Sequence, residues 1–141
     1  MGKEGMSNEL PTPHHHCRTR TVAQPVRGNL TYFEELGFSP ARVYWITSMG
    51  SLWKQWVVRG NHAHRTCKQM FFCLRGEARF EMIQQRKTIN ATLRPEQNGL
   101  YLPPMWWHRM SIKRGSVILA LASERHDEAE YIRIWEEFAW L

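Results

Sequence analysis

From about Leu30 onward the chain alternates apolar and polar residues with period two, in short runs separated by polar or glycine-bearing turns. Ala78, Phe80 and Met82 interleave with Glu77, Arg79 and Glu81, the pattern of a strand with one packed face and one wet face. Ile89, Ala91 and Leu93 repeat it after the Gln84-Gln85-Arg86-Lys87 turn, which makes the two runs a hairpin. Ala41 to Ile46, Gln55 to Val58, Met70 to Leu74, Leu100 to Leu102, His108 to Ile112 and Ser116 to Ala122 read as further strands. With no internal repeat and no interposed helices, this pattern predicts an all-β fold, closed or double-sheeted, rather than βαβ units.

The ends of the chain differ. Between Asp127 and Leu141, the spacing of Tyr131, Trp135, Phe138 and Leu141 predicts a short amphipathic helix packed on the barrel. Asp127, Glu128 and Glu130 would sit at its start, where the helix dipole favours negative charge. Residues 1–23 are polar and contain Pro11, Pro13 and His14-His15-His16, so a partly disordered tail is expected there, with one domain over 24–141. No apolar leader region and no run of about 18 apolar residues occurs, which points to a cytoplasmic protein with no membrane association.

Three cysteines, Cys17, Cys67 and Cys73, form no Cys-x-x-Cys pair and are read as reduced thiols. The net charge of +6 favours an anionic partner. The basic residues are dispersed (Arg18, Arg27, Arg59, Arg65, Arg79, Arg94, Arg114, Arg133) and no nucleic-acid motif accompanies them, so a phosphorylated small molecule ranks ahead of nucleic acid. Of the seven tryptophans, Trp53, Trp56, Trp106 and Trp107 lie close in sequence to His62 or His108; core or interface packing is the favoured role, and stacking on a ligand ring the alternative.

The chemistry concentrates at His62-Ala63-His64. In a strand, residues two apart face the same side, so the two imidazoles project together. Gln69 opens the next strand, and His108 follows the Pro103-Pro104 turn. The string Gly60-x-His62-x-His64-x4-Gln69-x6-Gly76 resembles the first motif of the cupin superfamily, and Gly99-x3-Pro103-Pro104-x3-His108 resembles the second. That resemblance implies a small cupin jelly-roll barrel with the short C-terminal helix outside it. In metal-dependent cupins the matching positions are His, His, Glu and His. Here Gln69 replaces the carboxylate with a neutral amide, a poor ligand for Zn, Fe or Mn, so no metal is expected. Two histidines free of metal titrate near neutrality, as proton transfer requires.

The stretch Arg59-Gly-Asn-His62-Ala-His64-Arg-Thr-Cys-Lys-Gln69 looks like the nucleotide-sugar 3,4-ketoisomerases, the WxcM-like cupins of bacterial surface-sugar biosynthesis. Arg27-Gly-Asn-Leu30, Gly99-Leu-Tyr101-Leu-Pro103-Pro104-Met105-x-Trp107, Leu121-Ala-Ser123-Glu124 and Tyr131-Ile-Arg133 continue the likeness in order, over roughly residues 24 to 138. The resemblance implies conversion of a dTDP-4-keto-6-deoxyhexose to its 3-keto isomer through an enediol or enediolate, with no metal or redox cofactor, and a homodimer. His62 and His64 would be catalytic, one moving the carbon-bound proton and the other serving the oxygens. Arg59 and Arg27 would bind the diphosphate. Tyr101, Gln69 and Trp107 would line the sugar side. His108 stands where many members carry arginine; it would face the sugar and influence protonation at C4, with a 3-keto-6-deoxygalactose product favoured. The tail departs from the family pattern at Ile134 and His126. Two alternatives accompany this reading: a metal-dependent cupin with an ion at His62, His64 and His108, and a non-catalytic cupin that binds a nucleotide sugar.

Overall fold

The computed structural model describes residues 12–141. Strands run in chain order as β1 (His14–Cys17), β2 (Arg20–Gln24), β3 (Gly28–Tyr32), β4 (Arg42–Thr47), β5 (Trp56–His64), β6 (Gln69–Arg75), β7 (Ala78–Gln84), β8 (Lys87–Leu93), β9 (Gly99–Leu102), β10 (Trp107–Lys113), β11 (Val117–Ala122) and β12 (Tyr131–Ile132), followed by the helix α1 (Trp135–Ala139). They form two five-stranded antiparallel sheets, ordered β1-β9-β6-β11-β4 and β12-β5-β10-β7-β8, with β2 and β3 a separate hairpin. The all-β expectation therefore holds.

Alternation decides what each strand buries. Phe71, Phe80, Met82, Leu93, Leu100, Ile112 and Ile118, drawn from both sheets, share one core. Phe71 and Phe80 meet there with ring centroids 5.1 Å apart, and the burial of each contributes about 2 kcal/mol relative to exposure. The intervening residues face outward but are also covered. Met70, Phe72 and Leu121 pack beneath Cys17 and Leu36 on the outside of the first sheet. Ala63 and Trp107 pack with Ile132 and Phe138 on the outside of the second.

Both chain ends contribute strands. Within the tail anticipated over residues 1–23, His14–Cys17 form an edge strand on β9, and Arg20–Gln24 pair with β3. His15 Nδ1 also meets the Asn98 carbonyl at 3.0 Å. Buried Cys17 anchors this segment over Met70 and Phe72, so it covers sheet rather than floating free. Residues 1–11 lie outside the described residues.

The single C-terminal helix is divided into a 3-10 turn at Glu128–Glu130, the strand β12 and the five-residue α1. Ile132 is 1% exposed beneath Phe138, while Tyr131 and Arg133 flank it on the other side. A helix this short gains little from its own hydrogen bonds, whereas the open edge of β5 offers Tyr131 and Ile132 partners at His64 and Ala63. The edge wins.

Candidate active site

A cavity of about 420 Å³ opens between the sheets. Arg42 and Tyr44 reach it from β4, Arg59, His62 and His64 from β5, Gln69 from β6 and His108 from β10, with Tyr131 and Arg133 closing the edge. Three arginines and no carboxylate line it, so it suits an anion. A second concavity of about 440 Å³, outside β7, β8 and β10, has its charges paired, with Arg109 on Glu81 at 2.8 Å, and contains no histidine.

A β-bulge sets the wall. His108 lies opposite His62 and Arg109 opposite Gly60, leaving Asn61 as the extra residue of β5. Gly60 (φ +88°) and Asn61 (φ 62°) take the left-handed conformations that the bulge needs. A Cβ on Gly60 would stand 3.0 Å from the His108 carbonyl oxygen. The bulge shifts the alternation by one, so Arg59 and His62, three apart in sequence, both face the cavity.

His62 and His64 meet Nε2 to Nε2 at 3.1 Å. His108 stands behind them, its ring 4.6 Å from that of His62 and 5.9 Å from that of His64. Tyr131 covers the pair, its ring 4.9 Å and 4.5 Å from the two. On the far side of His64, Nδ1 lies 2.7 Å from Glu130 Oε2, and Glu130 Oε1 accepts from the backbone N–H groups of Thr66 and Cys67 at 2.8 Å each.

Burial dominates the protonation. It pushes His62 down to about 4, with the neighbouring His64 adding to the effect, and holds His108 well below the ordinary imidazole range. Burial also lowers His64, outweighing the opposing hydrogen bond and charge of Glu130. For Glu130, burial favours the acid, but the Cys67 amide, the His64 ring and the Thr66 amide together bring its pKa below the usual value. At neutral pH the site therefore holds neutral imidazoles against an ionised Glu130. Neutral imidazoles are free to accept a proton, but burial takes both His62 and His64 below the near-neutral titration expected from the sequence.

A family profile described as "FdtA: WxcM-like, C-terminal" matches residues 14–141. The chain belongs to this WxcM-like family. Its relatives include the TDP-4-oxo-6-deoxy-alpha-D-glucose-3,4-oxoisomerase of Aneurinibacillus thermoaerophilus, 35% identical over 116 residues that cover 79% of this chain and 81% of the relative. Among solved structures, the sugar 3,4-ketoisomerase QdtA of Thermoanaerobacterium thermosaccharolyticum in complex with TDP superposes with a TM-score of 0.77 at 30% identity, over 87% of this chain and 89% of that one. The WlaRB TDP-quinovose 3,4-ketoisomerase of Campylobacter jejuni gives a TM-score of 0.75 at 28% identity, over 89% and 98%.

Of the site residues expected in this WxcM-like chain, His62, His64, Arg59, Gln69 and His108 come together in the cavity. Three do not. Trp107 follows the alternation of β10 to the outer face, where it packs on Trp135 and Phe138, because its neighbour His108 points inward. Tyr101 lies between the inward Leu100 and Leu102 and so faces out, against His14 and Phe38. Arg27 is exposed at the β2–β3 turn, its N–H on the Gln24 carbonyl, and does not line the cavity. Glu130, Tyr131, Arg133, Arg42 and Tyr44 were not anticipated as site residues. The usable signal is Tyr131-Ile132-Arg133 itself, an apolar residue between two polar ones, which is strand spacing.

The donor atoms of His62, His64 and His108 lie within 4.8 Å of one another, as do those of His64, Cys67 and Glu130. Three imidazoles can by themselves hold zinc, and the two sets differ in how free their donors are. The first gathers only neutral imidazoles, with an amide at Gln69, while in the second the Glu130 carboxylate is already bound to two amides and a ring nitrogen.

Proposed function

We propose that this chain is a TDP-sugar 3,4-ketoisomerase that moves the keto group of a dTDP-4-keto-6-deoxyhexose from C4 to C3. The observation that carries the reading is the His62–His64 contact of 3.1 Å, made by two neutral imidazoles in an arginine-lined cavity, in a chain whose relatives include enzymes named for this reaction.

One imidazole removes the proton on C3, and the electron pair of that C–H bond forms the C3–C4 double bond of an enediolate as the C4 carbonyl oxygen takes the negative charge. The O3 proton passes to O4, and a proton returned to C4 leaves the carbonyl at C3. Nothing is oxidised or reduced overall, and the rings exchange protons with the sugar and with each other, so neither redox cofactor nor metal is required. The Gln69 Oε1 atom, buried without a protein partner, is the acceptor for a sugar hydroxyl. Arg42, Arg59 and Arg133 supply the charge for the diphosphate. His108, wholly enclosed behind His62, bounds the space at the sugar, and we assign the product as dTDP-3-keto-6-deoxygalactose.

NMR of dTDP-4-keto-6-deoxyglucose incubated with the protein in deuterium oxide tests this directly. The 3-keto product should form with deuterium at C4 in the galacto configuration. Unchanged substrate without ring deuterium would remove the activity, and a gluco product would remove only the stereochemical assignment.

The β2–β3 hairpin pairs with neither sheet and exposes Val22, Val26 and Leu30. We assign its cover to a second copy of the chain, forming a homodimer. Light scattering should give twice the chain mass of 16.8 kDa, and a monomer at micromolar concentration would oppose the assignment. Among the described residues no helix is long and apolar enough to cross a membrane. All three cysteines are unpaired, which suits the cytoplasm, our assigned compartment.

A further inference from the structure

Glu130 is half of an unused arrangement. Its two oxygens have separate tasks: Oε1 takes the Thr66 and Cys67 amides of the β5–β6 turn, and Oε2 meets His64 Nδ1. The contact is sheltered, with the side chains of His64 and Glu130 3% and 12% exposed. An ionised carboxylate can only accept, so His64 must carry its proton on Nδ1, and its Nε2 then presents a lone pair toward His62.

We propose that Glu130 is a positioning residue for the proton-transfer pair: by fixing His64 in the Nδ1–H tautomer it makes Nε2 of His64 the proton acceptor, with Nε2–H of His62 as the donor facing it. This rests on the isomerase reading for its catalytic meaning, but the tautomer itself does not. The arrangement gives the pair a direction. Glu130, His64 and His62 form a chain in which charge arising on His64 is held by the carboxylate behind it, outside the cavity that receives the anionic substrate. The carboxylate thus assists the base without repelling the diphosphate.

Glu130→Gln separates positioning from support. Because Oε1 faces two N–H donors, the amide oxygen of the variant stays with Thr66 and Cys67, and its NH₂ turns to His64 Nδ1. That reverses the tautomer while keeping the turn pinned. Nitrogen-15 NMR of the parent, without substrate, should show the His64 proton on Nδ1, and the variant should show it on Nε2. The kcat of the variant should fall by roughly 10³- to 10⁴-fold, the loss typical of a histidine held in the wrong tautomer, with KM changed less than about threefold. Glu130→Asp, which keeps an acceptor-only group, should recover part of the rate.

A parent His64 protonated on Nε2 overturns the inference, as does a folded Glu130→Gln protein with kcat within about tenfold of the parent. Should that variant fail to fold, the parent's resonance decides alone. Absence of turnover in the parent would remove the isomerase reading and leave the tautomer test standing.

Discussion

Gln69 donates its amide N–H to the Tyr44 hydroxyl at 2.8 Å, which fixes the rotation of the side chain and leaves Oε1 buried without a protein partner. The bond spans from β6 to β4 across the inner face of β11. It ties the amide chemistry at this position to a neighbour. A carboxylate could not donate to Tyr44 and would instead add the anionic ligand that the three histidines lack. Gln69→Glu should therefore take up close to one zinc or manganese ion per chain after dialysis, measured by elemental analysis, and lose isomerase activity by at least about tenfold. Unchanged metal content in the variant would contradict this account of the site.

The acid side of the rate profile follows from the neutral imidazoles. A base works only unprotonated, so kcat/KM falls as pH drops through the pKa of the free enzyme's base. Burial places His62 near 4 and lowers His64 from 6.5. The acid limb should consequently lie below pH 6.5, and activity should be flat between about pH 6.5 and 8.

Stability has the same sign. An unfolded histidine protonates below about 6.5, whereas His62, His64 and His108 resist protonation in the fold, so the unfolded chain binds more protons as the solution is acidified. Their contribution is fully present above pH 6.5 and is lost progressively toward pH 4. For His62 alone the shift corresponds to about 3 kcal/mol. Thermal melts should show a falling Tm between pH 6.5 and 4, with a shallower slope in His62→Asn.

Arg59 and Arg133 face the cavity without a carboxylate inside it, although Arg133 is held from outside by Glu128. Charge-assisted contacts to a diphosphate contribute about 1.5–3 kcal/mol each. Arg59→Ala should weaken dTDP binding by about tenfold or more in calorimetry, with thermal stability altered little because its side chain is exposed.

Gly60→Ala should be costly despite its small size. The left-handed backbone costs an L-residue about 1–2 kcal/mol, and the new methyl would press on the His108 carbonyl at 3.0 Å. A lower Tm together with reduced kcat is expected, since His62 and His108 would separate. An unchanged melt would show that the bulge relaxes freely.

The alternation rule made the two-sheet fold and the shared side of His62 and His64 legible, because period two is unbroken beyond the bulge. Applied consistently, it also excludes Trp107 beside an inward His108 and Tyr101 between Leu100 and Leu102. Arg59 was reached for its charge, yet its place opposite Met110 depends on Asn61 being an extra residue, which only strand pairing reveals. Glu130 was hidden for a different reason. The spacing of Tyr131, Trp135 and Phe138 mimics a helix, and the edge of β5 that captures Tyr131 exists only once the sheet has formed.

Asn61 carries no chemistry, but its presence counts. An in-frame deletion of this one codon would restore plain alternation along β5. Arg59 and His62 would then stand two apart and still share the cavity side, each opposite its present partner on β10, while β5 would lose the local bend and added twist of the bulge. By that reckoning a codon-deletion scan along β5 should find its most tolerated loss at Asn61, since removal of any paired residue of the strand would turn one end of it inside out.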